Sequence, residues 1–240
     1  LHEIDPVNRS AGRALGVGVE PDAVAVAPGG TGGKGIALVA NLDSNSVTTV
    51  DLGTWRVGTT VAVGTQPVAV AVTTSANRPV ALVVDFGSNQ VTPLDLSTMQ
   101  AGPPIAVGPG PETIAAVPGE ALVGNFTDHS LTPINTTTMQ SGPAVALPFD
   151  PTGIVAAPSG QMAYICGGAS VVPVTLPGLS LASSVTLPDV AQAITLDAAG
   201  TKAWVALGSG DLVSVSLPAG VVGTPIHLGG HPSAVVLASR

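Results

Sequence analysis

Apolar and polar positions along this chain follow a strand rhythm that restarts every 40 to 46 residues. One copy reads "DAVAVAP", "GIALVANL", "SVTTVDL" and "TTVAVG" in succession, each segment short, Val-rich and bounded by Gly, Pro, Asn, Asp or Ser. The second segment is almost wholly apolar, as suits a strand covered on both faces. The third alternates apolar with hydroxyl side chains, as suits a half-exposed one. Each copy therefore predicts one four-stranded antiparallel sheet. A helical reading fails because 30 Gly and 22 Pro interrupt nearly every window long enough for three turns.

A ruler of thirteen residues runs through the repeats, joining Asp5 to Gly18, Asp51 to Gly64, Asp95 to Gly108, Asn135 to Pro148, Thr175 to Pro188 and Ser216 to Gly229. Three residues further on stands a proline, at Pro21, Pro67, Pro111, Pro151 and Pro232, with Ala191 in the remaining copy. Periods of this length belong to propeller blades, whereas a β-sandwich has no reason to repeat throughout its length. The expected architecture is an all-β propeller with blades at 21–66, 67–110, 111–150, 151–190 and 191–231. Residues 232–240 and 1–20 remain, and "LHEID" aligns with a third strand. Together they are about 13 residues short of a full blade, the length of one missing strand. The expectation is six blades, the closing one shared by both termini and lacking one strand, within a single domain spanning 1–240. The alternative is seven blades, one of them outside this chain. A start at Leu1, in mid-blade, is also the pattern of a processed protein or a fragment.

The segments "VGTQPVAVAV", "IALVANLDSNSVTTVDLGT" and "ALVVDFGSNQVTPLDLST" resemble the YVTN-type repeat of bacterial and archaeal surface β-propellers, relatives of the lactonase-like propellers. The resemblance covers nearly all of the chain and is closest in the first three copies. It implies structural roles for Pro67 opening a strand, Gly87, Ser88 and Asn89 turning between strands, and Asp95 ending the third. Gluconolactonase-type propellers place a metal-dependent lactone-hydrolysing site at the channel mouth. Their Glu-Asn-Asp ligand motif has no residue-by-residue match here.

Composition narrows the function classes. Charged residues make up 9% of the chain and the net charge is −8, so the seven Lys and Arg form no basic stripe for nucleic acid. No apolar run reaches the length of a membrane span before Gly, Pro or a charge intervenes. Aromatics are only 2%, so the sheets must pack through Val, Ala, Leu and Ile. Trp204 is expected in the core and Trp55 at a rim. The lone Cys166 excludes an internal disulfide and is expected to be a buried thiol. Low charge and many hydroxyls suit an exported protein, secreted or extracytoplasmic.

In a four-stranded meander, the loop entering the first strand and the turn from the second to the third emerge on one face. The entering loops place Glu20, Asp22, Gln66, Glu112, Asp150 and Asp189 there as a ligand-binding face for a protein or small molecule. Asn41, Asp85 and Asn125 end three consecutive second strands and are the candidate metal positions, with Ca²⁺ as the fitting hard cation. The competing reading is turn chemistry, in which these side chains bond their own backbone. His129 and His231 are the candidate general bases on the same face. No nucleophile elbow is present, "GGTGGKG" lacks the Ser or Thr of a phosphate-binding loop, and no cofactor motif is found. The expected function is noncatalytic binding through the loop-rich face; the alternative is a metal-dependent, lactonase-like hydrolase.

Overall fold

The computed structural model describes residues 1–5, 8–117 and 119–237. The fold is all-β, with six antiparallel sheets in chain order, the fold class of a β-propeller of about six blades. The chain divides into two compact units, residues 1–106 with 137–139 and residues 107–136 with 140–240.

In the first unit, β1 (His2–Asp5) and β2 (Ser10–Ala14) form a two-stranded sheet. β3 (Pro21–Ala27), β4 (Ile36–Asn41), β5 (Ser46–Asp51) and β6 (Arg56–Ala62) form a four-stranded sheet in that order. The third sheet holds β7 (Pro67–Ser75), β8 (Arg78–Asp85), β9 (Gln90–Asp95), β10 (Gln100–Ala101) and β11 (Ile105–Ala106). The second unit repeats this pattern three times. Its first sheet is β12 (Pro111–Val117), β13 (Glu120–Asn125), β14 (Ser130–Asn135), β15 (Gln140–Ser141) and β16 (Val145–Ala146). Its second is β17 (Gly153–Ala156), β18 (Met162–Gly167), β19 (Ser170–Thr175), β20 (Ser180–Leu181) and β21 (Val185–Thr186). Its third is β22 (Ala191–Leu196), β23 (Lys202–Leu207), β24 (Asp211–Ser216), β25 (Val221–Val222) and β26 (Ile226–His227).

The second strands are buried along nearly their whole length, as their unbroken apolar runs demand. Between sheets the core is aliphatic: Ala27, Leu38 and Val47 meet Ala81, Val83 and Leu94 in the first unit. In the second unit, Leu122 and Leu131 join Ile165 and Val172 in one layer, and Cys166 and Val171 join Val205 and Val213 in the next. Trp204 is only half-buried, its ring capped by the Lys202 ammonium at 5.7 Å, so it is a boundary residue rather than the expected core one.

Two features depart from four plain strands per copy. In four sheets the fourth strand is broken into two short pieces around Gly102–Pro103–Pro104, Gly142–Pro143, Ala182–Ser183 and Gly223–Thr224–Pro225. Opposite each break the third strand carries Pro93, Pro133, Pro173 or Ser214, whose carbonyl accepts from Gly102, Gly142, Ala182 or Gly223 at 2.7–2.9 Å. Proline lacks an N–H, so it is tolerated in a strand only where the ladder is already interrupted. The bulge and the proline are one device, and Thr49 occupies the same place in the continuous-strand sheet, bonding Thr59 through its hydroxyl at 2.8 and 3.1 Å.

The second departure concerns the terminal segments. Among the described residues β1 and β2 pair with each other, and residues 231–237 carry no strand; residues 238–240, part of the expected closing blade, lie outside the described residues. Gly229 and Gly230 both adopt positive φ, 77° and 70°, which turns the chain out of strand geometry, and Pro232 offers no donor for a ladder.

Candidate functional site

In four sheets the loop entering the first strand is tied to the turn that ends the second strand. Leu42 N–H donates to Glu20 O at 2.8 Å, Phe86 N–H to Gln66 O at 2.9 Å, Phe126 N–H to Gly110 O at 2.7 Å and Gly208 N–H to Val190 O at 2.8 Å. Glu20 and Gln66 reach this geometry at φ of 52° and 53°, in the left-handed region. The carbonyl thereby turns toward its partner, and within each unit these loops are held against the ends of the second strands. Phe86 in the first unit and Phe126 in the second, at equivalent positions, have 38% and 36% of their surface exposed.

Next to these loops lie the three candidate metal positions, Asn41 and Asp85 in the first unit and Asn125 in the second. Asn41, Asp85 and Asn125 are fully buried. Asn41 Nδ2 donates to Ser46 O, Ser46 Oγ and Thr48 Oγ1 at 3.2, 3.3 and 3.0 Å, while its Oδ1 accepts from Gly18 N–H at 2.9 Å. Asn125 Nδ2 donates to Ser130 Oγ at 2.9 Å and Thr132 Oγ1 at 2.8 Å, and Gly108 N–H reaches that same Thr132 hydroxyl at 3.3 Å. At Asp85 the polarity reverses: Thr92 Oγ1 donates to Oδ2 at 2.6 Å, and Oδ1 has no partner among the described residues. Burial pushes the Asp85 carboxyl up to about 6, against the pull of bonds from Thr92, Gly64 and Gln90.

The ruler glycines explain the arrangement. A Cβ on Gly64 would lie 2.6 Å from the Asp85 carboxyl carbon, and one on Gly108 2.6 Å from Asn125 Nδ2. Each glycine closes the end of one sheet directly onto the polar residue of the next, an approach that excludes any side chain. Gly18 and Gly64 thus tie successive sheets of the first unit through Asn41 and Asp85, and Gly108 closes on Asn125 within the second unit. In the last two sheets their register positions hold Gly167 and Leu207, and the polar tie is absent there.

The remaining candidates lie nearer solvent. Glu20, Asp22, Gln66 and Glu112 are exposed, with the Asp22 carboxyl raised above its usual value by partial desolvation, and Gln66 N–H donates to Asn45 Oδ1 at 2.8 Å. Asp150 is half-buried and pairs with His129, Nε2 to Oδ1 at 2.7 Å. Asp189 is half-buried near Gly208, and His231 Nδ1 lies 3.2 Å from Gly208 O. The structure thus brings His129 to Asp150 but leaves His231 on a backbone carbonyl. Among the described residues no group of three or more His, Cys, Asp or Glu is gathered closely enough to hold a metal ion.

One polar constellation escaped the sequence reading. His227 Nδ1 lies 2.8 Å from Asp211 Oδ1, while Ser209 Oγ donates to Asp211 Oδ2 at 3.0 Å. Both bonds hold the Asp211 carboxyl below its usual value, His227 foremost. The serine bonds the carboxylate and not the imidazole, so the histidine has no nucleophile to activate. A signal for the pair existed: the third and fourth strands pair at a fixed separation of sixteen residues, as in Ser46↔Ala62, Gln90↔Ala106, Ser130↔Ala146, Ser170↔Thr186 and Asp211↔His227. Cys166 is buried against Thr152, and burial raises its thiol to about 11, which makes it an unreactive core group. The Gly-rich insertion is held by an acid: Thr31 N–H and Oγ1 both donate to Asp51 Oδ2 at 2.8 Å.

The chain matches no protein-family model, and no curated protein matches it in sequence. Among solved structures it is similar to hydrazine synthase of Kuenenia stuttgartiensis, with a TM-score of 0.77 and 20% identity over 92% of this chain and 72% of that one. It is also similar to a functionally unknown protein from Desulfotomaculum acetoxidans DSM 771, with a TM-score of 0.78 and 16% identity over 92% of this chain and 75% of that one. At these identities the likeness concerns the fold alone.

Proposed function

We propose that this chain is a noncatalytic binding protein that works outside the cytoplasm through the loops entering its first strands, and that its repeats are of the YVTN type. The observation that carries this reading is the presentation of Phe86 and Phe126. Each is a partly exposed aromatic in a chain with very few, on a backbone held by its entering loop. A rigidly held aromatic beside acidic and amide groups, one in each unit, suits recognition, because little conformational entropy is lost when a partner docks. Glu20, Asp22, Asp150 and Asp189 favour a partner with basic groups beside an apolar one.

A random-peptide phage library panned on the chain tests this reading. Enriched sequences should combine Lys or Arg with apolar residues, and Phe86→Ala or Phe126→Ala should each abolish capture of part of the pool without lowering Tm. Undiminished capture by both variants would contradict the proposal. Hydrolysis of small lactones that requires Ca²⁺ and stops on chelation would replace it with the hydrolase.

A further inference from the structure

In three sheets the turn from the second to the third strand ends on a residue in the left-handed region: Asn45, Asn89 and His129, with φ of 49°, 52° and 52°. The backbone there is held in the same way whether the residue is Asn or His. Val63 N–H donates to Asn45 O at 3.1 Å, and Leu147 N–H to His129 O at 2.7 Å. From Asn45 and from His129 the side chain reaches the loop entering the next sheet, at the residue just before Pro67 or Pro151. Asn45 Oδ1 accepts from the Gln66 backbone N–H at 2.8 Å, a bond between uncharged groups. His129 meets the Asp150 carboxylate instead, Nε2 to Oδ1 at 2.7 Å. Both members of the tie have changed together, and Asn45 shows that the tie itself requires neither charge.

The His129 and Asp150 side chains remain 56% and 43% exposed, and both belong to the second unit. The other titratable groups at this end of the unit's strands are Glu112, Asp128 and Asp189, with His227 on Asp211 and His231 on the Gly208 carbonyl. Asp128 shares the turn with His129, and its Oδ1 accepts from Ser130 Oγ at 2.8 Å. Lys202 is the one Lys or Arg among the described residues of this unit, and it opens β23, at the far end of that strand from the Gly208 turn. The positive charge that Asp150 meets in the fold is therefore that of the His129 imidazolium.

We propose that His129 is a proton-operated competitor for Asp150: protonated, it holds the carboxylate against a partner's basic group, and on losing its proton it gives that charge up for binding. The inference rests on the loop surface proposed above. Histidine is the side chain whose charge changes between about pH 5 and 8, a range in which Lys and Arg stay charged. A neutral imidazole can still donate one hydrogen bond but no longer offsets the acid, so a partner's cation gains the attraction. Phe126 opens the turn that His129 closes, between β13 and β14, so the apolar and acidic parts of the surface meet where the proton acts.

The test is the affinity of a dye-labelled peptide of alternating Lys and Leu for the full chain, read by anisotropy at constant salt, at about pH 8 and about pH 5.5. Binding should be about fivefold tighter at the higher pH, the size of one exposed charge pair. H129N copies Asn45 and suits the left-handed backbone, and should abolish the difference. H129K stays charged and should bind weakly at both pH values, as should D150N. H231N should keep the difference, which assigns it to His129. Equal wild-type affinity at the two pH values, or a difference that survives in H129N, would overturn the proposal; if F126A still weakened that binding, the loop surface would stand without the proton control. No saturable binding at either pH would overturn both.

Discussion

Asp85 is the residue where local chemistry and position conflict most. Its counterparts Asn41 and Asn125 donate from Nδ2 to the hydroxyls across the hairpin, whereas a carboxylate can only accept, and one Asp85 oxygen is left without a partner among the described residues. Its folded pKa of about 6 lies above the value of about 3.9 in an unfolded chain. Between those values the folded state holds more protons than the unfolded one, so stability falls as pH rises from about 4 to about 6 and stays reduced above. The linkage corresponds to ~2–3 kcal/mol. Asp85→Asn supplies the missing donor and removes the charge. Urea unfolding should show the variant more stable by about 2 kcal/mol at neutral pH, with the difference vanishing near pH 4. A constant difference across that range would assign the effect to something other than ionisation. The equivalence of Asn41, Asp85 and Asn125 is readable in the repeat, but their burial is not. It depends on a glycine from the adjoining sheet landing on each, a tertiary contact that single-chain spacing does not reveal.

At the level of elements, the strands were legible wherever an apolar run was bounded by Gly, Pro or Asn, and the broken fourth strands were not. "AGPPIAVG" has strand composition overall, yet Pro103 and Pro104 remove two donors and force the bulge. Pro93 was the overlooked clue, because a proline inside a central strand requires an interruption opposite it. The same logic predicts an asymmetry in the sheet with the continuous fourth strand. Thr49 stands at the register position of Pro93, so Thr49→Pro should cost no more than about 2 kcal/mol, chiefly for its hydroxyl bonds to Thr59. Thr48→Pro, one residue earlier in a buried, bonded position, should cost at least about 3 kcal/mol. Denaturant midpoints of the two variants check this, and equal losses would refute the register argument. The His227–Asp211 pair was missed for a related reason: His227 lies in a strand, and only the sixteen-residue pairing rule puts it opposite an acid.

Over the whole molecule, periodicity alone sufficed for an all-β fold of about six sheets, and solved structures of 20% and 16% identity share it. At the ends of the chain, β1 and β2 form a two-stranded sheet, and Gly229 and Gly230 before Pro232 adopt positive φ. The proposed role of Asn41, Asp85 and Asn125 is to tie neighbouring segments together within their units rather than to ligate a cation. Thermal unfolding of the wild type and Asn125→Ala, each in excess Ca²⁺ and in chelator, tests it most directly. The variant leaves Ser130 and Thr132 without their buried donor, at a cost of about 2 kcal/mol. The predicted result is a wild-type Tm indifferent to Ca²⁺ and a variant Tm lower by about 5 °C in both conditions. A wild-type Tm raised by Ca²⁺, with the rise abolished by Asn125→Ala, would contradict it.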